Sequence, residues 1–101
     1  ISTPKSTDIE DKTTSTAVLF QNAPNPFSES TIIKFVIPED SHNARLIIHN
    51  LNGVEIKSFT ITESGEGNIT ISGAELNPGM YLYTLIVENE IIDTKRMILT
   101  Q

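Results

Sequence analysis

The chain has 101 residues, no Cys and no Trp, and carries 13 acidic against 7 basic side chains, a formal net charge of −6 with both His neutral. That length holds one ordinary domain, and the missing Cys excludes a disulfide scaffold and thiolate metal sites without deciding the compartment. Apolar runs of three or four residues are too short to span a bilayer, and an acidic chain without a basic stripe repels a phosphate backbone, so neither membrane insertion nor a nucleic-acid partner is expected.

Apolar residues are unevenly spread, two in residues 1–16 and 36 in residues 17–101. The first stretch, ISTPKSTDIEDKTTST, cannot bury enough apolar surface to offset its ordering entropy and reads as a flexible polar linker. Opening at Ile1 without a charged n-region or an apolar h-region, the chain reads as the end of a longer protein. Over the whole chain Ile, Val and Thr number 15, 4 and 12 against only four Ala and seven Leu, which suits pleated, half-buried surfaces. The expectation is an all-β domain over residues 17–101.

Taken in order, residues 17–21 form a first short strand. Asn22-Ala23-Pro24-Asn25-Pro26-Phe27 must be an irregular connection, because two prolines fix φ and withhold donors. Residues 31–37 alternate, with Ile33, Phe35 and Ile37 on one face, until Pro38 stops them. Residues 44–50 place Ala44, Leu46 and Ile48 on one face and Arg45 and His49 on the other. Asn52-Gly53 predicts a type I′ turn into a partner strand at 54–61. Residues 63–67 read as a polar break, 68–72 as a brief strand, and 73–77 as a connection whose Leu76 plugs the core. Pro78-Gly79 fits the centre of a type II turn; 80–88 is the longest apolar strand, Asn89-Glu90 a tight turn, and 91–100 the last strand. Seven strands without helical periodicity predict a seven-stranded antiparallel immunoglobulin-like β-sandwich, although the Cys, Trp, Cys pattern of true immunoglobulin domains is absent.

Chemistry is harder to assemble. His42 and His49 lack a third ligand at zinc spacing and read as strand or loop residues. Glu39-Asp40 and Glu63/Glu66 are turn carboxylates without an opposed partner across a cleft. There is no nucleophile elbow, no phosphate cradle and no calcium-loop spacing, so no catalytic, metal or cofactor residues are assigned. Asn68-Ile69-Thr70 matches the N-glycosylation tripeptide, a pattern common by chance. Tyr81 and Tyr83 share a strand face and read either as core or as a stacking platform.

Four segments in order carry something more specific. Leu19-Phe20-Gln21-Asn22-Ala23-Pro24-Asn25-Pro26-Phe27 with Thr31–Pro38, then Ala44 through Asn50-Leu51-Asn52-Gly53, then Leu76-Asn77-Pro78-Gly79-Met80-Tyr81-Leu82-Tyr83, and finally Asp93 through Thr100, together resemble the type A C-terminal sorting domain of the type IX secretion system of Bacteroidetes. The second segment departs from the family in having His49-Asn50 where Tyr-Asp is usual. The resemblance implies a non-catalytic address. An N-terminally fused cargo would reach the periplasm and pass the outer-membrane translocon, the domain would be cut off by a sortase-like peptidase in the linker, and the cargo would end secreted or at the cell surface. No oligomeric state is implied.

On this reading Lys95, Arg96, Met97, Ile98 and Leu99 are the candidate translocon-recognition residues, because a terminal edge strand is the easiest element to pair with or peel away. Lys95-Arg96 is also the only adjacent basic pair. The family-motif turns Asn25, Pro26 and Phe27, Asn52 and Gly53, and Pro78, Gly79 and Tyr81 read as architectural, with Phe27 anchoring the first loop. The rival from another class is an immunoglobulin-like accessory module that binds carbohydrate or protein at the cell surface through Tyr81, Tyr83 and Phe59. A stiff inert spacer is a further alternative.

Overall fold

A computed structural model describes residues 16–101; the linker reading of residues 1–16 lies, but for Thr16, outside the described residues. Seven strands follow in order among them: β1 (Val18–Leu19), β2 (Ser30–Ile37), β3 (Ala44–His49), β4 (Glu55–Ile61), β5 (Gly65–Ser72), β6 (Gly79–Val87) and β7 (Glu90–Leu99). One 3-10 turn, Gly73–Glu75, precedes β6. The strands form two antiparallel sheets, a three-stranded one ordered β1-β2-β5 and a four-stranded one ordered β4-β3-β6-β7. Two packed sheets in which strands 3, 6 and 7 are neighbours, opposite 1, 2 and 5, make an immunoglobulin-like sandwich.

The core follows from period-2 alternation. Ile33, Phe35 and Ile37 from β2 face Leu46 and Ile48 from β3 and Tyr81, Tyr83, Leu85 and Val87 from β6, all buried, with Met97 and Leu99 completing the layer. Leu76 packs against this cluster from the connection before β6, as its place in the sequence suggested. Tyr81 and Tyr83 are core residues, which removes the stacking platform of the accessory-module reading.

Turn chemistry differs from expectation at three places. Asn52 does not take a positive φ, so Asn52-Gly53 is not a type I′ turn. Gly53 alone is left-handed (φ 84°), and its N–H donates to Asn50 O. The Asn50 side chain organises the turn, its Oδ1 accepting from the N–H groups of Asn52 (2.9 Å) and Val54 (3.0 Å). Positive φ at two successive central residues occurs at Glu88 (53°) and Asn89 (64°), one residue earlier than the expected Asn89-Glu90 turn, with Val87 paired to Glu90. Gly79 has φ 152°, far from the roughly +80° of a type II turn, because it already opens β6 opposite Leu99.

The polar break at 63–67 is also shorter than expected, since β5 begins at Gly65. Gly67 sits opposite Phe35, and a Cβ there would meet Phe35 Cε1 at 2.7 Å. The Phe35 ring occupies the place of the missing side chain, so a Gly that weakens a strand by propensity is compensated from across the ladder.

Candidate functional site

β7 is an edge strand of the four-stranded sheet, with β6 on one side only. In an antiparallel ladder alternate residues aim their backbone groups at the neighbour and the rest aim outward. Here Met97 and Leu99 face β6, while Thr94, Arg96 and Ile98 face the open side.

That side is closed by the connection between β1 and β2. Phe27 lies beside Leu99 in a parallel bridge, its N–H donating to Ile98 O (2.9 Å) and its carbonyl accepting from Thr100 N–H (2.8 Å). Asn25 Oδ1 accepts from Ile98 N–H (2.9 Å), and Gln21 Nε2 donates to Arg96 O (2.6 Å). Further along, Asp93 Oδ1 accepts from Thr94 N–H (2.8 Å). An edge that would otherwise template another strand is thus blunted by the protein's own groups.

The connection is itself held by a buried polar network. Tyr83 Oη donates to Phe20 O (2.8 Å) and accepts from Asn22 N–H (2.7 Å). Asn22 Nδ2 donates to Thr31 Oγ1 (2.9 Å) and Pro24 O (3.2 Å), and Thr31 Oγ1 donates to Pro24 O (2.8 Å). Asn22 and Thr31 are buried, and their pairing satisfies polar atoms that would otherwise cost about 1–3 kcal/mol each. Burial pushes the Tyr83 phenol up to about 12, opposed by the hydrogen bond from Asn22 N–H and reinforced by the Asp93 carboxylate.

The five candidate recognition residues therefore do not form one surface. Met97 and Leu99 are core residues, 0% and 3% exposed, Ile98 is half-buried and Arg96 is exposed. Lys95 and Arg96, adjacent in sequence, stand on opposite faces of the strand, and Lys95 Nζ pairs with Asp93 Oδ2 (3.4 Å). Among the motif turns, Phe27 is buried (2% exposed), and Asn25 and Pro26 are exposed beside β7. Asn52, Gly53, Pro78 and Gly79 are exposed turn or strand-end residues elsewhere. Tyr81 is buried and donates its hydroxyl hydrogen to Asn77 O. Gln21, Asn22 and Thr31 were not singled out from the sequence, although polar residues next to a Pro-rich connection are the signal that could have found them.

Among the described residues no cluster of His, Cys, Asp or Glu is arranged to hold a metal ion. The two His are apart. His42 donates its backbone N–H to Glu88 Oε1 (3.2 Å), and His49 Nε2 lies 3.3 Å from Thr84 Oγ1 on the outer face of the large sheet.

The model of the secretion system C-terminal sorting domain family matches residues 23–100, from the Pro-rich connection through the terminal strand. The chain belongs to that family. It is a type IX secretion sorting-signal family and not a catalytic one, so the domain serves a fused N-terminal cargo and the type IX machinery that exports it. No curated protein matches the chain. Among solved structures, the sorting domain is similar in fold to part of the chitinase ChiW of Paenibacillus sp. str. FPU-7, described as a cell-surface-expressed multi-modular enzyme (TM-score 0.57, 17% identity over 90% of this chain). It spans only 9% of that enzyme's chain. An immunoglobulin-like protein of Pseudomonas aeruginosa also matches, with TM-score 0.47 and 8% identity over 70% of each chain.

Proposed function

We propose that the domain is a non-catalytic secretion signal that directs an N-terminally fused cargo from the periplasm through the type IX outer-membrane translocon, and that a sortase-like peptidase removes it within residues 1–16. The observation that carries the reading is the family match, which runs unbroken through the terminal strand. The polar, apolar-poor composition of residues 1–16 supports the site of the cut, because a peptidase needs locally extended backbone.

The proposed recognition surface is the clasped edge rather than β7 alone. A receptor meeting the folded domain reaches Arg96, Ile98, Gln21 and Asn25, whereas Met97 and Leu99 act by keeping β7 in place. Loss of β7 would uncover Tyr83 and release the connection, so truncation acts through the fold as well as through contacts. Fused behind a reporter carrying a signal peptide, residues 1–101 should bring it outside a strain with an intact type IX system and leave it periplasmic in a translocon-deficient sister strain. Equal retention in both strains would overturn the reading, and the new terminus of exported reporter would locate any cut.

A further inference from the structure

The opposite side of the sandwich is built differently. There β4, edge of the large sheet, and β5, edge of the small one, are joined by Thr62–Ser64, and residues of both line one groove. The alternation that aims Asn50 N–H at Val54 O aims Lys57, Phe59 and Ile61 at β3, leaving the backbone groups of Ser58 and Thr60 facing outward. Among the described residues no hydrogen bond reaches the N–H or C=O of Ser58 or Thr60 from outside the strand. β4 holds no Pro, and its one register shift lies at its start, opposite Ile48/His49. Lys57 guards that end, its ammonium paired with the Glu75 carboxylate and 6.0 Å from the Phe59 ring centroid.

Beyond Lys57 a groove of about 270 Å³ opens between the two edges. Its floor is Phe35, Phe59, Ile61 and Ile69, and Glu63 and Glu66 stand at its rim without an ion-pair partner among the described residues. An apolar floor with a carboxylate rim suits long side chains whose stems lie on hydrocarbon while the charged heads reach out. We propose that the β4 edge from Ser58 to Thr62 takes an extended strand of a partner protein that carries Lys or Arg at alternate positions. Such a strand adds to the sheet through the outward groups of Ser58 and Thr60, lays alternate stems in the groove and sets their cationic heads on Glu63 and Glu66. The site is separate from the clasped edge, and its test on the isolated chain does not depend on the export reading.

The experiment is titration of isotope-labelled chain 1–101 with a blocked heptapeptide alternating Thr and Lys, read by amide NMR shifts, with a Thr/Glu heptapeptide as its counterpart. Saturable shifts centred on Ser58, Thr60, Glu66 and Asn68 are expected with the Lys peptide alone, and they should weaken as salt is raised. Glu63→Gln with Glu66→Gln should weaken binding at least tenfold. Thr60→Pro, which removes an outward N–H and no ladder bond, should abolish it while the remaining spectrum keeps its folded dispersion. Absence of saturation, equal response to the Glu peptide, shifts centred on β7, or undiminished binding by Thr60→Pro would each overturn the proposal. So would concentration-dependent shifts of the same amides without peptide, which would assign the edge to a second copy of the chain.

Discussion

The two open sides of this sandwich present the same kind of backbone to their surroundings and treat it in opposite ways. On the β7 side, outward groups at Thr94, Arg96 and Ile98 are met by Asp93, Gln21, Asn25 and Phe27, and behind them Tyr83, Asn22 and Thr31 close a buried network. On the β4 side, Ser58 and Thr60 meet no such groups among the described residues. Edge strands are a hazard wherever they stand. The irregular, Pro-rich connection of this domain is placed on one edge only, the one formed by the strand with which the family match ends.

Substitutions can break or sharpen that contrast. The largest effect is expected from Tyr83→Ala, which removes a wholly buried ring and orphans Phe20 O and Asn22 N–H; denaturant unfolding should show a loss of about 3–5 kcal/mol. A matched pair of prolines comes next. Ile98→Pro deletes the N–H held by Asn25 and forces the ring against the connection, for a loss of about 3 kcal/mol, while Thr60→Pro should change stability by no more than about 0.5 kcal/mol. Equal losses at the two edges would show that the clasp adds nothing.

Stability also depends on alkaline pH through Tyr83. Tyr83 holds its proton more tightly when folded, with its phenol at about 12, than when unfolded, near 10. Its contribution to stability is therefore full below pH 10 and falls as pH rises toward 12, because in that interval this phenol ionises in the unfolded chain before it does in the folded one. Unfolding at stepped alkaline pH should show a decline of about 2 kcal/mol that Tyr83→Phe lacks. The smallest effect is Asn25→Ala, about 1 kcal/mol, visible chiefly as faster hydrogen exchange at Ile98. If the Ile98 amide keeps its protection, the side-chain cap is dispensable.

The regular parts of the fold were legible because strands 31–37 and 44–50 alternate cleanly and turn signals separate them. Turn geometry was less so. Asn-Gly at 52–53 pointed to a type I′ turn, but the competing Asn50 side chain captured two N–H groups and supplied a different solution. At 88–89 the ladder between β6 and β7 imposed positive φ on Glu88, which does not favour it, beside Asn89, which tolerates it. Gly65 and Gly67 read as a break because the ring that covers Gly67, Phe35, lies 32 residues upstream of it. The candidate site was legible only as a strand. That Lys95 and Arg96 part to opposite faces follows from the strand itself, but the partners Gln21 and Asn25 come from more than seventy residues away, and no local pattern announces them.

The clasp joins residues 21–27 to residues 96–100, which are separated by nearly the whole domain in sequence. A translation product released before Arg96 has every residue of the connection but none of the β7 groups that it clasps. In it Gln21 and Asn25 lack their β7 partners, and residues 79–82 of β6 lose theirs. The clasp is therefore a late closure: it can form only once the β7 segment that supplies Arg96, Ile98 and Thr100 has been made.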